Sequence, residues 1–234
     1  MAEKIYMIPV NEAFEASQAD PACGCPYCAL EKKLENNELD AILGAAMMEP
    51  DIRIKTNEEG FCSRHYSIML GRRRMLGMGL MLESHLAEVR KKLDGPTVFG
   101  NKRQAALESL GKLECDCYVC GRISRNLNAM IATAVYLWES DPDFAPKFKK
   151  APYFCLPHYR AMLDYASKKM SKKIFPLFYK DAYELEDRHV ATLSEDVSWY
   201  CKKFDYRYDG EPWYNSKDSV PRATKFLSGD FKNE

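Results

Sequence analysis

The chain has 234 residues, 46% of them hydrophobic and 29% charged, and its 34 basic residues balance 34 acidic ones. That length holds one large domain or two small ones, with apolar content sufficient for a core. Zero net charge argues against a general nucleic-acid binder, which gains affinity by neutralising phosphates. The one tight basic cluster, Arg72-Arg73-Arg74, reads as a solvated helix face.

The sequence opens without a basic region leading into an apolar run, and no stretch of about 20 apolar residues follows. The expectation is a cytoplasmic protein that does not enter a membrane. Thiols stay reduced in that compartment, so paired cysteines read as metal ligands or redox groups rather than structural disulfides.

Taken in chain order, the pattern is helical. A short helix over Asn11–Ser17 leads to Cys23-Gly-Cys25-Pro-Tyr-Cys28. From Pro26 to Met48 the apolar residues Ala29, Leu30, Leu34, Leu39, Ile42 and Leu43 recur near a 3.6 period, and Pro26 suits a first helical turn. Residues 49–61 read as an extended crossover leading to Cys62-Ser-Arg-His65, and a long helix is expected from Ser63 to Leu93. Asp94-Gly95-Pro96 through Gly100 is a loop signal.

The second half repeats this order. A short helix over Arg103–Lys112 precedes Cys115-Asp-Cys117-Tyr-Val-Cys120, and a periodic helix runs from Val119 to Trp138. A crossover over 141–154 leads to Cys155-Leu-Pro-His158. Pro176 should kink or split the helix that follows, with a second piece from Leu177 to Phe204. The aromatic tail around Trp213 and Tyr214 should wrap the bundle or present a partner surface, ending in a short helix near Pro221–Leu227. No segment alternates as a strand would.

The cysteine–histidine signature is therefore written twice. Cys25 and Cys117 are 92 positions apart, Cys62 and Cys155 are 93 apart, and eight of nine cysteines fall in the pattern. His65-Tyr66 and His158-Tyr159 extend the match, as do Pro50-Asp51 and Pro142-Asp143. The expected architecture is all-α: two pseudo-symmetric helical modules, residues 1–100 and 101–205, forming a bundle, with a tail over 206–234. Each module would carry a Cys/His metal site at helix N-termini.

Soft ligands at these spacings point to metal. C-x-x-C puts two sulfurs on one turn, and C-x-x-H puts its pair on one helix face. Within each copy the set would be Cys25, Cys28, Cys62 and His65, then Cys117, Cys120, Cys155 and His158. Three thiolates and one imidazole suit structural Zn2+. Cys23 and Cys115 supply one further thiol per copy, which an iron–sulfur cluster could use. A third alternative is thiol–disulfide exchange at Cys25 and Cys28, because Cys25-Pro-Tyr-Cys28 matches the glutaredoxin motif, although no βαβ pattern surrounds it. Glu186-x-x-His189 has the spacing used in di-iron bundles, but copy one offers only Glu83-x-His85, so His85 and His189 read as packed histidines. Methionines such as Met69, Met75, Met78 and Met81 read as core, and Gly71, Gly77 and Gly79 as places for close helix approach or room for a ligand.

The opening Lys4-Ile-Tyr-Met-Ile-Pro-Val-Asn-Glu-Ala-Phe14-Glu, the motifs Cys25-Pro-Tyr-Cys28, Gly60-Phe-Cys62-Ser-Arg-His65 and Cys155-Leu-Pro-His158, and the tail Phe204-Asp-Tyr-Arg207 resemble a bacterial family of unknown function. The resemblance covers nearly the whole chain and implies no established activity. Members sometimes carry the automatic label of ABC-transporter substrate-binding protein, which conflicts with a sequence lacking an export signal and a two-lobed α/β pattern. The reading is a metal-binding helical scaffold or interaction protein with a protein partner, no nucleic acid and no membrane insertion.

Overall fold

A computed structural model describes residues 4–94 and 102–230. Among them the fold is all-α, with no strand. The helices are α1 (Met7–Ala19), α2 (Pro26–Ile42), α3 (Pro50–Glu59), α4 (Ser63–Gly71), α5 (Met75–Asp94), α6 (Lys102–Cys115), α7 (Tyr118–Ser140), α8 (Phe144–Lys149), α9 (Leu156–Lys169), α10 (Phe175–Lys202) and α11 (Ser219–Ser228). The loop signal from Gly95 to Gly100 lies outside the described residues.

Two compact units form, and they cut across the two sequence copies. Unit one is Met1–Lys32 with Leu127–Glu234; unit two is Lys33–Asn126. Both boundaries fall inside helices, in α2 and in α7.

Unit one is built around aromatic rings. Phe14 of α1 meets Phe144 of α8 at 4.9 Å between centroids, and Phe148 meets Phe154 at 5.1 Å. Tyr27 is fully buried against Phe154 and donates its hydroxyl to the Met162 sulfur at 3.4 Å. Such pairs add directional preference to area burial. The tail is tied down here. Lys203 Nζ donates to the carbonyls of Tyr208, Asp209 and Glu211, the Trp199 indole donates to the Pro212 carbonyl, and α11 packs on α9 and α10.

Unit two packs α3 against α5 and α6, over a core that includes Leu39, Ile42, Leu43, Phe61, Met69, Met78, Met81 and Val119. Three of the four methionines expected in the core are buried; Met75 is exposed. Gly77 is a required close approach, because a Cβ there would lie 2.5 Å from the Leu43 carbonyl oxygen. Gly71 and Gly79 have open space instead.

Three expectations change. The helix expected from Ser63 to Leu93 breaks at Arg72–Arg74, where Arg73 has φ +56°, so the arginines form a turn rather than a helix face. Arg72 donates to Asp40 Oδ1 at 2.8 Å, and Arg74 pairs with the same carboxylate at 3.6 Å. The helix from Pro26 stops at Ile42, followed by a 3-10 turn over Ala45–Met48. The extended return over 49–61 is itself helical as α3, capped by Gly60 at φ +62° and ψ −157°, a conformation open to glycine. In the second half the expected split stands: α9 ends at Lys169, α10 starts at Phe175, and Pro176 sits in its first turn, where its missing N–H is harmless.

Candidate metal centres

Helical geometry decides which half-motifs meet. Ten residues of α3 advance only about 15 Å, against roughly 33 Å for the same residues extended. A return that short does not bring Cys62 back to the start of α2, and α4 begins instead alongside Glu35, two turns into α2. The within-copy sets expected from the sequence, Cys25 and Cys28 with Cys62 and His65, and Cys117 and Cys120 with Cys155 and His158, are therefore corrected. The eight residues gather as Cys25, Cys28, Cys155 and His158 in unit one, and as Cys62, His65, Cys117 and Cys120 in unit two. Each group takes the C-x-x-C of one copy and the C-x-x-H of the other.

The four ligand atoms of each group lie within 4.8 Å of one another. In the first group His158 Nδ1 is 3.0 Å from Cys155 Sγ, 3.5 Å from Cys28 Sγ and 3.7 Å from Cys25 Sγ, and the Cys28 and Cys155 sulfurs are 3.5 Å apart. In the second, His65 Nδ1 is 3.2 Å from both Cys62 and Cys117 and 3.4 Å from Cys120, with the Cys62 and Cys120 sulfurs 3.9 Å apart. A tetrahedron around one ion with bonds of about 2.0–2.3 Å has edges of about 3.5–3.8 Å, close to these separations.

Both groups sit at helix starts, as expected. Cys25 precedes α2 and Cys28 lies in its first turn; Cys155 is the N-cap of α9 and His158 lies in its first turn. Cys117 precedes α7, and Cys62 is the N-cap of α4. Unpaired N–H groups and the helix dipole favour thiolates there.

Carboxylates on α2 back both histidines, which the sequence reading missed. Glu35 Oε1 is 2.9 Å from His65 Nε2, and Glu31 Oε2 is 3.3 Å from His158 Nε2. Glu35 also pairs with Arg64. With an ion bound and Nε2–H donated to the carboxylate, Nδ1 would turn its lone pair toward the ion, the usual orienting arrangement for a ligating histidine. The signal was faint: Glu31 and Glu35 look like any polar face of an amphipathic helix.

Within each group one thiol is driven down and another up. Burial pushes the Cys25 thiol well up, and hydrogen bonds from Cys155 and Cys25 hold Cys28 well below the thiol range. The Cys120 hydrogen bond lowers Cys117 to about 3, and that same bond pushes Cys120 far up. Burial opposes charge on the histidines, but Cys117 and Glu35 raise His65 to about 10, and Cys155, Cys28 and Glu31 raise His158 to about 11. An ion at either group competes for these protons.

Neither Cys23 nor Cys115 joins a group; both are exposed, and Cys23 Sγ lies 3.8 Å from Asp20 Oδ2. Glu186 and His189 share α10 but serve different neighbours. Glu186 accepts from the Phe154 N–H at 2.7 Å, and His189 stacks on Tyr153 at 4.2 Å and touches Phe226. Burial raises Glu186 to about 8; burial, then the charge of Arg222, lowers His189 to about 4. His85 packs against Gly60.

The whole chain, residues 1–234, matches the model of a family of unknown function, DUF6062. The chain belongs to that family. No curated protein and no solved structure matches it. No helix among the described residues is long and apolar enough to cross a membrane.

Proposed function

We propose that this DUF6062 protein binds two zinc ions, one in each unit, and works as a metal-stabilised helical scaffold that engages a protein partner in a reducing compartment. The observation that carries the reading is the paired fourfold grouping of three sulfurs and one Nδ1 at tetrahedral spacing, with a carboxylate behind each imidazole. Cys25, Cys28, Cys155 and His158 would hold one ion, and Cys62, His65, Cys117 and Cys120 the other. A closed set of this kind leaves no open coordination position, which suits a structural role. Since the sites do not preexist in an unfolded chain, ion binding would feed directly into folding free energy.

The spacing favours a single ion over a cluster. A multi-iron cluster spreads its protein ligands over two or more irons, whereas all four ligand atoms of each group lie within 4.8 Å of one another. The extra thiols such a cluster would recruit, Cys23 and Cys115, stand outside both groups. Thiol exchange at Cys25 and Cys28 is disfavoured because both are buried, whereas an attacking thiolate needs access.

Elemental analysis with an absorption spectrum, on protein purified without oxygen, tests the reading. About two zinc per chain and no visible absorption is the expected result. Iron with sulfide and broad visible absorption would replace it with the iron–sulfur reading.

A further inference from the structure

The two groups share ligands but not cover. In the first, all four ligand residues are buried, and Gly229, the C-cap of α11, lies over the sulfurs: a Cβ built on it would be 3.6 Å from Cys155 Sγ and 3.9 Å from Cys28 Sγ. Phe226 of α11 holds this cover by packing edge-on against Tyr153 and at a tilt against His189. In the second group, Cys62 is half-buried and Cys120 is exposed. The sulfurs of those two less buried residues are 3.9 Å apart.

We propose that the unit-two group is an oxidisable metal–thiolate site, at which a peroxide converts Cys62 and Cys120 to a disulfide and releases the ion, while the unit-one group keeps its own. The proposal rests on the metal reading above. Sulfur proximity alone does not distinguish the groups, because Cys28 and Cys155 are as close at 3.5 Å. Access does, since oxidation follows thiolate character and exposure together.

The chemistry balances. The Cys120 sulfur gives an electron pair to one peroxide oxygen, the O–O bond breaks, and sulfenic acid and one water result once the leaving hydroxide takes a proton. The Cys62 thiolate attacks that sulfur, the S–O bond breaks, and the second hydroxide leaves as water with a second proton. Two thiolates, one hydrogen peroxide and two protons become one disulfide and two waters. The ion is left with His65 and Cys117 only, half its donor set.

The test starts from full-length protein whose metal content has been measured, then adds hydrogen peroxide and follows ion release and cysteine state by peptide mapping. Absence of ions at the start would overturn the metal reading, and this proposal with it. With two ions loaded, the expected result is release of one, a Cys62–Cys120 disulfide, and reduced Cys25, Cys28 and Cys155. Loss of both ions together, loss of the unit-one ion first, or oxidation of exposed Cys23 and Cys115 with both ions retained would each overturn the proposal. Phe226→Ala loosens the cover over the first group and should make the second ion releasable as well. Continued resistance of that ion would overturn the argument from cover.

Discussion

In unit one the ligand residues are sealed by the end of α11; in unit two the same ligand types face outward at Cys120. The duplicated segments supply the residues of both groups, and the tail that follows them packs on α9 and α10 and lies against the unit-one sulfurs. Duplication therefore wrote the Cys/His set twice, and the end of α11, outside the repeat, adds cover to the unit-one set. A buried ion exchanges slowly and acts as a fastener; an exposed metal–thiolate remains open to reaction.

The comparison can be broken at the ligands. Cys155→Ser should cost unit one its ion and on the order of 5 kcal/mol of stability, given the large binding free energy of structural zinc. It should free Cys25 and Cys28 to alkylation while Cys117 and Cys120 stay protected. Cys62→Ser should do the reverse, exposing Cys117 and Cys120, with a smaller drop in melting temperature because its group is already half open. Metal stoichiometry and alkylation mapping on both variants check this. Exposure of Cys117 and Cys120 by Cys155→Ser would restore the within-copy pairing.

The carboxylates behind the histidines sharpen it. Glu35→Gln should weaken unit-two ion affinity by about tenfold or more, and Glu31→Gln should weaken the unit-one ion less, matching the 2.9 Å and 3.3 Å contacts. Competition with a coloured chelator would read both, and equal affinities in both variants would deny the carboxylates a role.

The smallest effect comes from Glu186, in unit one. Its carboxyl is raised to about 8 from an unfolded value of 4.5, so the folded state binds the extra proton across that window. Stability from this group is full below pH 4.5 and is lost as pH rises through about 8. Glu186→Gln keeps an acceptor for the Phe154 N–H and cannot ionise. Between pH 6.5 and 9 the variant should gain about 1–2 kcal/mol on the parent protein, a discounted figure for a partly solvated group. Denaturant unfolding at the two pH values measures it, and a constant difference would show that Glu186 does not titrate in the folded protein.

Much of this was legible in the sequence. Apolar periodicity gave the helices, Pro176 marked the split before α10, and the repeated half-motifs named the eight residues that gather. Which halves pair was not legible, because it depends on whether residues 49–61 run extended or helical, and Pro50 at a helix start reads locally like a loop proline. The break at Arg72–Arg74 was hidden by an unbroken apolar pattern on both sides. Gly229 and the carboxylates at Glu31 and Glu35 act across long sequence separations and carry no local signature.

The most direct test of cross-copy pairing is NMR of the protein loaded with cadmium-113, following scalar couplings from each metal to cysteine β-protons. One resonance should couple to Cys25, Cys28 and Cys155, and the other to Cys62, Cys117 and Cys120. A resonance coupled to Cys25, Cys28 and Cys62 together would contradict the account.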